Sequence, residues 1–175
     1  MAAMHNPMTM DTFKAFVGLS AVAALVATIS ALLIDVPVWA AFIGWIAFFS
    51  RGITARDGAI NLTCVLIGLL IGIAAAFASA ALTPYLGAWS IAPVVLIATF
   101  MLLSLGLLPR INNLTGFFLG LVCFFASHLP PTLDTFVELA VAAALGVFGA
   151  LIASLVQKRL SGPAGPSGDV SISQP

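Results

Sequence analysis

The chain has 175 residues, of which 62% are hydrophobic and 7% charged; six basic and six acidic side chains leave a formal net charge of zero. An ordinary soluble domain carries charge on roughly a quarter of its residues, and a nucleic-acid binder needs a basic face, so both classes are excluded. The stretch 58–109 contains no Asp, Glu, Lys or Arg, and a charge at mid-bilayer costs roughly 2.5–3.5 kcal/mol, so the composition predicts an all-α integral membrane protein with the lipid bilayer as its main partner.

A hydrocarbon layer about 30 Å thick takes about 20 residues of helix to cross. Residues 1–11 are polar and Met-rich, without a signal-peptide pattern, and read as an N-terminal cytoplasmic segment. A long apolar segment follows at 12–34. Asp35-Val-Pro37 marks a turn, with Pro tolerated in an opening helical turn, and a short apolar segment spans 36–50. The loop 51–57 ends at Asp57-Gly58, and a second long segment spans 58–82 up to a break at Thr83-Pro84. A third covers 88–108 and stops at Pro109; a second short one covers 112–127; Pro130-Pro131 precedes the last, 133–157. The Gly-, Pro- and Ser-rich 158–175 reads as a disordered cytoplasmic tail. Cys64 and Cys123 fall inside apolar segments at no metal-site spacing and read as small core residues.

With six crossings and a cytoplasmic N-terminus, Lys14, Arg51, Arg56, Arg110, Lys158 and Arg159, which are all of the basic residues, fall on the inner side. That satisfies the positive-inside rule, whereas re-entrant short segments would put Arg51 and Arg56 outside. Trp39, Tyr85 and Trp89 then lie near the outer surface, where amphipathic rings prefer to sit.

Phe42-Ile-Gly-Trp-Ile-Ala-Phe-Phe-Ser50 aligns without gaps on Phe118-Leu-Gly-Leu-Val-Cys-Phe-Phe-Ala126. Each copy precedes a polar loop and a long Gly- and Ala-rich segment, punctuated by Gly68 and Gly72 in one case and by Gly146 and Gly149 in the other. Two three-helix halves, 12–82 and 88–157, follow. An odd number of crossings inverts the second half relative to the first, a plan that in transporters puts the working site near mid-membrane. One slip further on, Asn61 falls opposite Glu138.

Glu138 is the acid placed furthest inside an apolar segment, and ionisable groups at membrane depth mark sites by default; the plainer alternative is a carboxylate reaching the outer headgroups. Asn61, Thr63, Asn113 and Thr115 are the polar candidates for a solute path, with bonding between helices as the commoner alternative. Phe48-Phe49 and Phe124-Phe125 are candidates for apolar constrictions, or for lipid-facing rings. Gly44, Gly68, Gly72, Gly120, Gly146 and Gly149 are expected to let helix backbones approach closely. His5 and His128 have no second ligand at metal spacing, and there is no phosphate loop, nucleophile–His–carboxylate set or pair of catalytic acids. No metal, no cofactor and no enzymatic activity are expected.

On Val36-Pro-Val-Trp-Ala-Ala-Phe-Ile-Gly44 and Asn113-Leu-Thr-Gly-Phe-Phe-Leu-Gly120, the chain resembles the domain-of-unknown-function 1097 family of small bacterial inner-membrane proteins, over roughly 15–157. The resemblance implies a multi-span fold in a bacterial cytoplasmic membrane and carries no assigned site residues. Leu108-Pro-Arg-Ile-Asn-Asn-Leu-Thr-Gly-Phe117 is faintly similar to segments of bacterial urea transporters, with Thr-Gly-Phe in place of their Thr-Pro-Phe. The expectation is a homo-oligomeric channel or facilitator for a small, mostly neutral polar solute of the urea or amide kind. A non-transporting scaffold or partner subunit, and a proton-coupled carrier centred on Glu138, are the alternatives.

Overall fold

The structure is a computed structural model and describes residues 10–160. Most of the N-terminal segment 1–11, with His5, and most of the tail 158–175 lie outside the described residues. Among the described residues there are six α-helices and no strand, and the helices make up most of 10–160.

Helix α1 (Met10–Ile29) runs into one π-helical turn (Ser30–Ile34), closed where Asp35 adopts a left-handed conformation, φ 56°, and its N–H donates to the Ser30 carbonyl. Helix α2 (Val38–Phe49) starts from Pro37, whose ring holds φ at −60° and which has no N–H to satisfy. Helix α3 (Ala55–Leu86) begins earlier than its apolar stretch, because the Thr54 hydroxyl accepts the Asp57 N–H at 3.1 Å and caps it. It also continues through the expected break at Thr83-Pro84. Pro84 forgoes the bond its N–H would make to the Ala80 carbonyl, yet the helix runs on two residues to Leu86, and the Thr83 hydroxyl donates to the Ser79 carbonyl at 2.7 Å. The chain reverses instead at Gly87, φ +55°, where a side chain would be strained. One 3₁₀ turn (Gly87–Ser90) leads into α4 (Ile91–Leu105), which is shorter than the expected 88–108. Helix α5 (Leu114–Ser127) is capped by Asn113, and α6 (Leu133–Leu160) by Thr132, whose hydroxyl accepts the Thr135 N–H at 3.2 Å.

Among the described residues, three helical stretches are long and apolar enough to cross a membrane: Thr12–Ile34, Ala55–Leu105 (α3 and α4 together, taken through the Gly87 turn) and Leu133–Leu160. Helices α2 and α5 are 12 and 14 residues long, roughly 18–21 Å at 1.5 Å per residue, shorter than the hydrocarbon layer.

Helices α2 and α6 lie side by side and parallel, as do α5 and α3, and these four make the centre of the bundle. Val36, Ala40, Leu139, Ala142 and Ala143 join Val65, Leu69, Cys123 and Phe124 in its core. Helix α1 runs antiparallel along α6, with Gly18 against Leu160 and Val156, and Val26 against Gly149. Helix α4 folds back along α3, where Val94, Ala98 and Leu102 meet Ile71 and Ala75. The two outer helices present bare apolar side chains, among them Leu32, Leu33, Leu96 and Phe100, each at least 70% exposed. The buried positions mix small and polar residues, among them Ala40, Ala41, Asn61 and Ser30, with large apolar ones such as Phe48, Phe117 and Leu69. A water-soluble surface does not tolerate so continuous an apolar skin. This apolar exterior is that of a membrane protein.

Candidate functional site

The central helix pairs close on glycine. A Cβ at Gly44 would strike the Ala143 carbonyl of α6, and one at Gly146 would strike the Ala41 carbonyl of α2. Between α3 and α5, a Cβ at Gly68 would strike the Phe117 carbonyl, and one at Gly120 the Val65 carbonyl. Backbone rests on backbone at both seams, the arrangement by which small residues bring apolar helices together without a hydrophobic driving force. Gly72 extends one seam, where a Cβ would lie 3.0 Å from Phe124 Cβ, while Gly149 faces Val26 and Trp45. Between the seams, buried side chains of α2, α3, α5 and α6 pack into one cluster that includes Ala40, Leu69, Phe124 and Leu139.

At one end of the α3–α5 seam the polar candidates Asn61 and Asn113 meet. Asn113 Nδ2 donates to Asn61 Oδ1 at 2.8 Å and to Ser50 Oγ at 2.6 Å. Asn113 Oδ1 accepts the Gly116 N–H at 3.2 Å, which caps α5, and Asn61 Nδ2 donates to the Phe48 carbonyl at 3.1 Å. That carbonyl lies in the last turn of α2, where no helical donor remains. Ser50 passes its own proton to the Ala47 carbonyl at 2.7 Å. One clasp therefore ties the end of α2, the body of α3 and the start of α5. Among the described residues no buried side-chain nitrogen or oxygen lacks a partner, so these amides spend their hydrogen bonds on the protein. Ser50 was missing from the sequence-derived candidates, although its place at the end of the first short segment put it within reach.

The other candidates are dispersed. Thr63 faces outward, its hydroxyl returned to the Ala59 carbonyl of its own helix at 2.9 Å, and Thr115 is exposed on α5. Phe48 is fully buried against Gly58, Val147 and Ala150, and Phe124 is buried on Gly72, whereas Phe49 and Phe125 are exposed. Each Phe-Phe pair packs edge to face, at 5.1 Å and 5.5 Å between ring centroids, so one ring of each fills the core and its neighbour faces out. Glu138 is half-buried on α6 beside buried Leu139 and makes no hydrogen bond or ion pair with the described residues.

Open grooves lie on the flanks of the bundle. One of about 170 Å³ runs between α3 and α4 with α5 at its side, and is lined by Ser79, Val94, Ala98, Thr99 and Phe125. At its turn end the Ser90 hydroxyl lies 3.5 Å from that of Ser79 and 3.4 Å from that of Thr83, a cluster that composition and spacing did not single out. No group of three or more His, Cys, Asp or Glu that could hold a metal ion occurs among the described residues.

Charge is segregated along the bundle axis. Arg51 reaches the Arg110 carbonyl at 3.3 Å, which brings the α2–α3 and α4–α5 loops together. The antiparallel run of α1 on α6 puts Lys14 beside the end that carries Lys158 and Arg159. All six basic residues thus share one end, while Asp35, Asp134, Glu138 and the exposed rings of Tyr85 and Trp89 share the other.

No curated protein and no solved structure matches the chain, and so none supports the likeness to urea transporters. A family match does cover most of it, residues 17–154, from the middle of α1 to near the end of α6, taking in both glycine seams and the amide clasp. By that match the chain belongs to the family described as protein of unknown function (DUF1097).

Proposed function

We propose that the chain crosses a bacterial cytoplasmic membrane six times, as two inverted three-helix halves with both termini cytoplasmic. We propose further that it assembles as a homo-oligomer that passes a small, mostly neutral polar solute of the urea or amide kind. The observation that carries this is the equivalence of the two seams. Exchanging α2 for α5 and α6 for α3 turns the Gly44–Ala143 contact into Gly120–Val65, and Gly146–Ala41 into Gly68–Phe117. Inverted repeats of this kind recur in transporters. In that register Leu139, rather than its neighbour Glu138, stands opposite Asn61, and Pro37 stands opposite Asn113. The amide clasp then sits at one of the two seams alone, and its counterpart at the other is the apolar packing of Val36 with Leu139.

The packed centre directs any solute path to the seam between copies. The α3–α4 groove is the candidate lining, with the Ser79 and Thr99 hydroxyls and no charged group. Proteoliposomes are expected to swell in urea, glycerol or small amides faster than empty vesicles. Equal rates for every solute would remove the facilitator. The same packed centre, with its amides already spent, favours a second reading as a non-transporting scaffold; there, swelling stays at the empty-vesicle rate and a hetero-complex co-purifies from native membranes.

Orientation has its own measurement. Cys64 and Cys123 are buried, so introduced thiols report cleanly. Ile53→Cys and Leu107→Cys are expected to be shielded from an impermeant maleimide in whole cells and labelled once the membrane is opened, with Leu86→Cys and Leu133→Cys labelled from outside. Labelling of Ile53→Cys and Leu86→Cys from the same side would end the six-span topology.

A further inference from the structure

The basic end holds more arginine than orientation requires. Between the α2–α3 and α4–α5 loops lies an open depression of about 690 Å³, whose lining includes Arg51, Arg56, Arg110, Thr54 and Asp57. Three guanidinium groups thus face a single carboxylate. Arg51 is held in place, its Nη1 donating to the Arg110 carbonyl at 3.3 Å and its Nε lying 3.9 Å from Asp57 Oδ1. Asp57 is itself fixed by the Thr54 hydroxyl at 2.7 Å, and a Cβ on Gly52 would lie 2.5 Å from its Oδ2. Arg56 and Arg110 are exposed, and their guanidinium groups make no hydrogen bond or ion pair with the described residues. The N-terminus of the 32-residue helix α3 opens at the same place and adds its positive dipole end.

The surroundings of the arginines are apolar. Ile60 and Ile111 line the depression, and an adjoining open hollow is walled by Leu108, Pro109, Arg110 and Ile111. Leu107 and Ile53 are exposed in the two loops. A fork of guanidinium groups matches phosphate oxygens two at a time, and basic pockets at the cytoplasmic ends of membrane helices suit anionic headgroups. We infer that Arg51, Arg56 and Arg110 form a binding site for a phosphate monoanion, with an anionic phospholipid headgroup seated on the arginines and its chains against the apolar walls. That this end faces the cytoplasmic leaflet rests on the topology proposed above; the binding chemistry does not.

The test uses the full chain in detergent, with lipid retention measured by native mass spectrometry and thermal midpoint. Phosphatidylglycerol should be retained, and should raise the midpoint, well beyond phosphatidylcholine. A charge near a lipid surface is worth a factor of roughly five per arginine, so Arg56→Gln with Arg110→Gln should weaken retention roughly 25-fold. Both side chains are exposed, so the lipid-free midpoint should hold. Lys158→Gln with Arg159→Gln removes the same charge elsewhere and should leave retention unchanged, while Arg56→Lys with Arg110→Lys keeps the charge and should recover only part of it. Competition by millimolar inorganic phosphate would support the site and assign it to a soluble anion; retention indifferent to phosphate would assign it to the lipid. Equal retention of phosphatidylcholine, or no effect of the double glutamine variant, would overturn the site. Because the assay is blind to membrane sidedness, its failure is distinct from failure of the maleimide result.

Discussion

Gly146→Ala is expected to destabilise the fold by about 3 kcal/mol or more, at or above the upper end of the usual cost of overpacking a core. The added methyl lands on the Ala41 carbonyl and crowds the Trp45 amide. Neither is the free end of a side chain, so α2 and α6 must separate along the seam to make room. Alanine's better helix propensity, worth about 1 kcal/mol over glycine, offsets only part of that. Gly68→Ala should cost a similar amount for the same reason, since its methyl meets the Phe117 carbonyl. Gly18→Ala is the control. Its nearest contacts are the branched ends of Leu160 at 3.0 Å and Val156 at 3.1 Å, which can shift, so the change should stay within about 1 kcal/mol. Thermal midpoints of the purified variants in one detergent provide the measurement. A Gly146→Ala midpoint matching that of Gly18→Ala would mean that the seam is not closed as described.

The second large effect is expected at the amide clasp. Asn113→Ala removes the α5 cap, worth about 1 kcal/mol, and strands Asn61 Oδ1 in a buried site, at a further cost of about 1–3 kcal/mol. Asn61→Leu strands the Phe48 carbonyl and leaves Asn113 with only the Ser50 hydroxyl for its amide protons. A leucine should fit the space, because Leu139 is fully buried at the matching position of α6. The double variant should therefore be less destabilised than the sum of the singles. The coupling should be about 1 kcal/mol, in the range measured for hydrogen bonds between membrane helices. Strict additivity in a double-mutant cycle would show that the two amides do not bond.

Much of the architecture could be read along the chain, and the departures have local causes. The apolar segments located all six helices, because a lipid-facing side chain must be apolar whatever its neighbours do. Their ends moved where capping outweighed hydropathy: Thr54 and Asp57 start α3 ahead of its apolar run, and Pro84, lying in a last turn, does not stop it. The site was less legible. Phe48 and Phe49 are adjacent in sequence and alike in chemistry, yet one is buried and the other exposed, since neighbours on a helix point about 100° apart. Composition gave no means of choosing between them. Asn61 and Thr63 were indistinguishable as polar residues at one depth; the facing α5 satisfies Asn61, whereas Thr63 turns its hydroxyl back on its own helix.

The amino-acid order alone determined that this protein is apolar, helical and suited to lipid, and it grouped the basic residues into segments that the bundle gathers at one end. Hydropathy and charge belong to single residues and need no partner to act. The tertiary structure decided which glycine meets which carbonyl, that the central seams close, that Asn61, Asn113 and Ser50 share one clasp, and that arginines from the α2–α3 loop, the first turn of α3 and the α4–α5 loop line one depression. Those outcomes depend on the axial register between helices far apart in the chain, and register is set by packing all the helices at once, a condition that no single segment carries.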